Sequence, residues 1–452
     1  MKLLVIIVLN TLLASGFGFW LRAECQRGSQ AARWWLGVAL AWRLVFTAVS
    51  GQFPSPDIVP QGSQAASPSP DAWGKLLSAY FLEHPAQIIT LLQDSRFAMY
   101  GKAVALPSWS NTLVVYKVFA LLDLASGGLL WLNGLYLSIG CFIASWLLVR
   151  TLVQTFSGVS LATAGIAFLL WPSVVWWTSG LTKETLVLGS GMALAALVLQ
   201  AVYGSSANWG WRQAGWWLAV AGLAWLHVRL RYFFALPLLG CLLGLAAVVM
   251  AERRGWLRGG WGRPALVLLA SGALLAAVAM AVGGELTSKD FIVVQLHANY
   301  VHGQLTSTGR PHLDYPGLQP TVNSMARYFP LAAAYTLSRP WLGESGQWRY
   351  LGAGLENLAL LALLLVAGWR VARGQRGKLP PALVLALLLY CLLLAGLIGL
   401  STPNLGTLYR YRVICLPWLV LVALDAARLG ALPGLNFGAL WKTRLLFSAR
   451  KP

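Results

Sequence analysis

The chain has 452 residues, of which 58% are hydrophobic and 11% charged. Ordinary soluble domains carry about 25% charged residues, so the composition excludes a typical water-soluble domain and makes lipid the solvent of the core. The net charge of +20 would point to nucleic acid in a soluble protein. Here the basic residues cluster between hydrophobic runs, where topology and anionic lipid account for them and no nucleic-acid partner is implied.

The first apolar run, residues 3–20, resembles a signal-peptide core but is long and lacks an Ala-x-Ala site before Arg22, so it reads as a transmembrane helix. Arg22, Arg27 and Arg33 make a short basic loop before the second run, 35–51, inside which Arg43 needs a partner or must snorkel. Hydrophobicity then stops. Residues 52–111 form a first large extracytoplasmic loop, opening with a Pro/Ser/Gln/Gly stretch and continuing as amphipathic helix on the membrane surface. Asp71 stands at the start of that helical pattern, as an N-cap would.

In 112–149, the interruptions at Lys117, Asp123 and Ser126-Gly127-Gly128 leave 129–149 as the crossing segment. Further runs at 159–177, 185–203, 215–226, 232–251, 264–283, 351–369, 381–400 and 413–423 bring the expectation to about 11 spans. A second large extracytoplasmic loop covers 285–350, and residues 428–452 read as a basic cytoplasmic tail. The expected fold class is all-α, one polytopic membrane domain over 1–452. The five cysteines (25, 141, 241, 391 and 415) show no CxxC spacing and read as small core residues.

Short Lys/Arg-rich loops set the orientation. Arg253, Arg254, Arg258 and Arg263 form one; Arg370, Arg373, Arg376 and Lys378 form another. With these and the tail in the cytoplasm, both long loops and the segments around Lys183, Arg229 and Arg410 share the outer face. Ser401 to Arg412 is the centre of interest there. It places Arg410 and Arg412 beside Tyr409 and Tyr411 at the mouth of a membrane helix. A guanidinium fork suits phosphate bidentately, so this stretch reads as a site for the phosphate of a lipid-linked substrate; headgroup anchoring is the alternative. Arg229 and Arg231 repeat the two-residue spacing, which in an irregular turn lets both reach one anion. Trp176, Trp177 and Lys183, after the helix-breaking Pro172, read as a substrate wall and one more cation.

Glu356 lies in an apolar run and needs an arginine partner on the outer face. A transferase also needs a carboxylate base near the leaving phosphate; Asp71 is the first choice and Asp57 the second. His297, His302 and His312 with Asp290 and Asp314 match no common zinc spacing, so no metal site is assigned and a divalent cation stays open as the only cofactor. No P-loop, dinucleotide fingerprint or Ser-His-Asp signature is present.

The run Trp171-Pro-Ser with Trp-Thr-Ser-Gly and Lys183-Glu184, then Arg339-Pro340-Trp341 with Glu356-Asn357, then Pro403-Asn404 through Arg410-Tyr-Arg412 to Pro417 resembles a poorly characterised group of bacterial polytopic membrane proteins. That group often accompanies exopolysaccharide or envelope glycan genes, and its layout is similar to GT-C glycosyltransferases and, more loosely, to Wzy-type oligosaccharide polymerases. The resemblance implies a bacterial inner-membrane enzyme that takes a sugar from a polyprenyl-phosphate donor to a glycan or lipid acceptor. It gives Asp71 the acidic position and Arg410 and Arg412, with Lys183 and Arg229, the phosphate. A repeat-unit polymerase is the alternative enzyme; a lipid-linked glycan transporter or a non-catalytic subunit is the alternative outside catalysis.

Overall fold

The computed structural model describes residues 2–50, 70–94, 96–99, 102–105, 111–204, 211–257, 262–282, 289–307, 309–345 and 347–429. Asp57 and most of the expected tail lie outside them. The described chain is helical apart from one hairpin, β1 (Arg96–Met99) paired antiparallel with β2 (Lys102–Ala105). Among the described residues, seven helices are long and apolar enough to cross a membrane, and nine when two bent pairs each count as one span. The protein is therefore a helical, multi-pass membrane protein.

The seven are α1 (Lys2–Arg27), α6 (Leu130–Thr155), α9 (Lys183–Tyr203), α11 (Tyr232–Arg253), α12 (Gly262–Val282), α15 (Trp348–Ala372) and α16 (Pro381–Ser401). The bent pairs are α7 (Leu161–Gly165), running through a π turn at Ile166–Leu170 into α8 (Pro172–Thr178), and α17 (Leu405–Tyr411), running through a 3-10 turn into α18 (Leu416–Ala426). Two further helices, α2 (Gln30–Ser50) and α10 (Trp211–Leu230), have the length of a span but are not apolar enough to be counted with the others. α2 carries Arg33 and Arg43, and α10 carries Arg212, His227 and Arg229.

Polar ties identify the two ends of the bundle. At one end Glu24 pairs with Arg150 and accepts from the Trp146 indole at 3.0 Å. Nearby, Gln200 donates to Thr151 (2.8 Å) and Arg253 to the Val202 carbonyl (2.6 Å). Asp425 accepts from the backbone N–H groups of Lys378 and Leu379, at 2.8 and 2.9 Å, and so holds the end of α18 to the start of α16. At the other end Ser50 donates to the Ser179 carbonyl at 3.0 Å. Arg43, buried, donates to Ser138, to the Thr178 hydroxyl and to the Thr178 carbonyl at 3.1, 2.7 and 2.7 Å. Its partners are hydroxyls and a carbonyl, which is how a guanidinium inside a run is kept hydrogen-bonded away from water.

Over that second end lie α3 (Pro70–Glu83), α4 (Ile88–Gln93), the hairpin and α5 (Asn111–Ser126), with a small core of Trp73, Leu77, Phe81, Leu113 and Tyr116. At 16 residues α5 falls short of a bilayer crossing. The second long loop is also structured: α13 (Lys289–Leu305) and α14 (Val322–Ser338) pack on α16. The Tyr300 phenol, pushed up to about 12 by burial, stays neutral; it accepts from Gln304 and from the Tyr315 N–H at 2.7 and 2.8 Å, fixing the loop after α13.

α14 and α16 meet through a small-residue seam. Thr336 donates to the carbonyls of Ala332 and Ala395, both at 2.9 Å, and a Cβ on Gly399 would collide with the Ala332 carbonyl and the Thr336 hydroxyl. Close backbone approach of this kind is what small residues supply in membranes. Gly399→Ala is expected to push the helices apart and to cost about 1–3 kcal/mol. A fall in thermal stability of the detergent-solubilised protein checks this; a change at exposed Gly16, which has open space around it, should leave stability unchanged.

Candidate functional site

The site forms where two helices break. Trp171 is extended (φ −60, ψ 122), as a residue before proline prefers, and Pro172 opens α8 at a position where its missing N–H costs nothing. The break leaves the Ser173 N–H without a helical acceptor. Glu356, from the apolar face of α15, supplies one: its Oε2 accepts that N–H at 2.9 Å, and its Oε1 accepts the Ser173 hydroxyl at 2.5 Å and the Trp171 indole at 2.8 Å. Asn404 ends the stretch after Pro403 and caps α17 by accepting from the Thr407 N–H at 3.0 Å. Thr182 caps α9 in the same way through Thr185 at 3.2 Å.

These caps aim α17 at α8 and α9. Glu184, in the first turn of α9 and buried, lies 3.3 Å from an Arg231 nitrogen and 3.6 Å from Arg410 Nε. Glu356 additionally accepts from the Tyr409 hydroxyl at 3.1 Å and stands 3.8 Å from Arg412, which also donates to the Arg339 carbonyl at 3.1 Å. Arg339 closes on Glu344. The aromatic side chains sandwich the guanidiniums: Arg231 sits 3.9 Å from the Tyr411 ring centroid, Arg410 5.9 Å from Trp177 and 4.9 Å from Tyr411, Arg412 4.6 Å from Tyr409. Such stacking favours the charged form where water is scarce.

Among the described residues, several buried donors here lack acceptors. Arg412 is 1% exposed, yet its Nε and one terminal nitrogen make no hydrogen bond; the Arg231 Nε and the Trp177 indole N–H are in the same state. Buried donors of charged groups left this way are costly, and guanidinium donors of this kind are chemically suited to an anion.

The structure brings Arg231, Arg410, Arg412, Trp177, Tyr409 and Tyr411 together. It separates Arg229 from Arg231. At the end of α10 the side chains fan out: His227 meets Ser190 at 2.9 Å, Arg231 turns to Glu184, and Arg229 lies towards Lys117, which donates to the Leu92 and Asp94 carbonyls at 2.8 and 2.6 Å. The two arginines therefore do not converge on one anion, because residues two apart at a helix end project in different directions. Trp176 packs edge-on against Phe46 of α2, away from its neighbour Trp177. Lys183 begins α9 beside Glu184 and is partly exposed. Asp71 lies in the first turn of α3, which packs on α5; its side chain is outside the described residues, as is the whole of Asp57. The expected loop histidines do not converge: His297 contacts the Leu318 carbonyl at 3.1 Å and His312 the Arg310 carbonyl at 2.9 Å. Among the described residues no group of three or more His, Cys, Asp or Glu is placed to hold a metal.

Sequence reasoning singled out the stretch from Trp171 to Glu184 but gave Trp171, Ser173 and Glu184 no individual part in the site. The signal was available for Glu356, a charge inside an apolar helix. It was weaker for Glu184, whose place in a first helical turn has a sufficient local explanation. Comparison with family models, with curated proteins and with solved structures finds no match.

Proposed function

We propose that the protein is a membrane glycosyltransferase of GT-C-like plan. It uses a polyprenyl-phosphate-linked sugar on the extracytoplasmic face of a bacterial inner membrane, for envelope or exopolysaccharide glycan. The observation that carries this reading is the buried cluster of Arg231, Arg410 and Arg412, walled by Trp177, Tyr409 and Tyr411, in which Arg412 and Arg231 keep guanidinium nitrogens with no hydrogen-bond partner among the described residues. When a sugar leaves a lipid phosphate, negative charge grows on the departing oxygen. Fixed guanidiniums in a partly dry site stabilise that charge without reorganising. The aromatic faces suit a sugar ring or an isoprenoid chain.

In this reading α2, α10 and the two bent pairs all cross, giving eleven spans with the cradle on the outer side. The basic ends near Arg150, Arg253 and Arg373 then face the cytoplasm, as short Lys/Arg-rich loops do. Single-cysteine labelling checks the sidedness. Four of the five native cysteines are buried, so replacing Cys25 removes the partly accessible thiol. An impermeant thiol reagent on intact cells should label Gln319→Cys, and should reach Arg373→Cys only after permeabilisation; the opposite pattern would put the cradle on the cytoplasmic side.

A second reading, the repeat-unit polymerase, is favoured by one observation: both carboxylates in the cradle are already engaged by arginines. A mechanism driven by arginines alone would need no further base. The experiment that tests the proposal is transfer. Purified protein in lipid vesicles, given radiolabelled polyprenyl-phosphate sugars and envelope glycan extract, should move label onto the acceptor. Transfer only of preassembled oligosaccharide blocks would select the polymerase, and no transfer from any donor would remove both.

A further inference from the structure

A second set of cations lies at the opposite end of α15, about 21 Å along the helix from Glu356. There α15 closes in a Schellman turn. The Gln375 N–H donates to the Arg370 carbonyl at 3.0 Å and the Gly374 N–H to the Val371 carbonyl at 2.9 Å, with Gly374 at φ 77. Backbone donors thus take the last carbonyls, and the arginine side chains are not spent on capping. Arg370 is half-buried, yet its Nε has no hydrogen-bond partner among the described residues, and its Nη1 reaches Gln375 Oε1 only at 3.4 Å. The Arg373 guanidinium lies 4.0 Å from the ring centroid of exposed Trp369. Arg428 donates to the Arg376 carbonyl at 3.2 and 3.0 Å and ties the end of α18 to the same turn. The acid of this end is Asp425, whose field reaches Lys378 and Arg428 and whose Oδ2 is held by two backbone N–H groups. Among the described residues Arg370 and Arg373 form no ion pair.

We propose that this turn is a built headgroup site for an anionic phospholipid, with its phosphodiester on Arg370 and Arg373. A guanidinium fork suits phosphate oxygens, and the Arg428 clamp fixes the turn that presents them. The acyl chains would run along the exposed face of α15, where Leu358, Leu365 and Trp369 share one side. Two features select this ligand. A free phosphate would use the arginines but not the apolar face beside them. A zwitterionic phospholipid would bring its own cation to a cationic turn, whereas an anionic one brings only the charge that the turn attracts. The site is separate from the Arg231–Arg410–Arg412 cluster, goes beyond the transfer reading and does not depend on it.

Native mass spectrometry of the full-length protein in detergent, with equimolar phosphatidylglycerol and phosphatidylcholine of one acyl composition, reads the preference. The wild type is expected to retain phosphatidylglycerol about tenfold or more over phosphatidylcholine, since each Lys or Arg at a bilayer surface contributes about fivefold. Arg370→Gln combined with Arg373→Gln should bring the two lipids towards equality. Arg22→Gln combined with Arg254→Gln removes two exposed arginines of the same end and should leave the preference unchanged. Equal loss in both double variants, or loss in neither, overturns the inference, because the attraction would then be diffuse. If the Arg370/Arg373 double variant does not fold, the wild type decides. A phosphatidylglycerol with a diazirine near its glycerol backbone should crosslink to residues 369–378 well above a phosphatidylcholine counterpart, and crosslinks spread evenly over the exposed segments overturn the inference. Release of phosphatidylglycerol by inorganic phosphate at equal concentration would make the turn a free-anion site and overturns it too. Each of these failures leaves the transfer reading standing.

Discussion

Glu356→Ala is expected to yield protein that does not fold stably or does not accumulate in the membrane. The Glu356 carboxylate accepts from Trp171, from the Ser173 N–H and hydroxyl and from Tyr409, and it faces Arg412. Removing it orphans four hydrogen-bond donors at the α7–α8 break and leaves a 1% exposed guanidinium without a counter-charge. Breaking a buried pair from one side costs about 3–5 kcal/mol, a large part of the ~5–15 kcal/mol by which proteins are stable. Glu356→Gln keeps one acceptor oxygen and the shape, so it should retain part of the stability. Yield and monodispersity in detergent for the two variants check this. Equal behaviour of Ala and Gln would mean that Glu356 does not organise the break.

The second large effect is on turnover. Arg412→Ala and Arg410→Ala are each expected to lower sugar transfer by about a hundredfold or more, the scale seen when one fixed donor is removed from a developing negative charge. Stability should respond differently in the two. Arg412 neighbours Glu356, which keeps its other donors. Arg410 shares Glu184 with Arg231, so Glu184 retains a cation at 3.3 Å. Lysine at either position keeps the charge but loses the planar fork and should restore only part of the rate. Initial rates at saturating donor, with thermal stability measured alongside, separate the two effects. Full activity in both alanine variants would remove the arginines from the mechanism.

Composition alone made the membrane class legible, because a chain with 11% charged residues has little to offer water. Long apolar helices such as α11 and α16 were equally plain. The finer count was not: the expectation was about 11 spans, while length and apolarity identify seven to nine. α2 and α10 account for the difference, since their arginines and His227 dilute apolarity at places where folding supplies Ser138, Thr178 and Ser190 as partners. The hairpin at β1 and β2 escaped because four-residue strands leave too little alternation to read.

For the site, local sequence gave the arginines and aromatics of 409–412, and the two-residue spacing at 229–231 was misleading. Spacing reports which residues are near in the chain; the end of α10 sends Arg229 towards α5 and Arg231 towards α9. The pairing of Glu184 with two arginines and of Glu356 with a proline break joins segments 47 to 226 residues apart. Periodicity and motif spacing carry no information on such pairings. Only the demand that a buried charge be paired pointed to one of them.

The most direct measurement is the contact between donor phosphate and arginine. With guanidinium-15N arginine in the protein and a polyprenyl-phosphate sugar bound in nanodiscs, dephasing of the donor 31P signal by 15N reports their distance. The account predicts nitrogen–phosphorus separations of about 4 Å, as in a charge-assisted N–H to oxygen contact, weakened in Arg412→Lys and Arg410→Lys. A bound, transferable donor whose phosphorus shows no dephasing would contradict it and place the phosphate away from the arginine cradle.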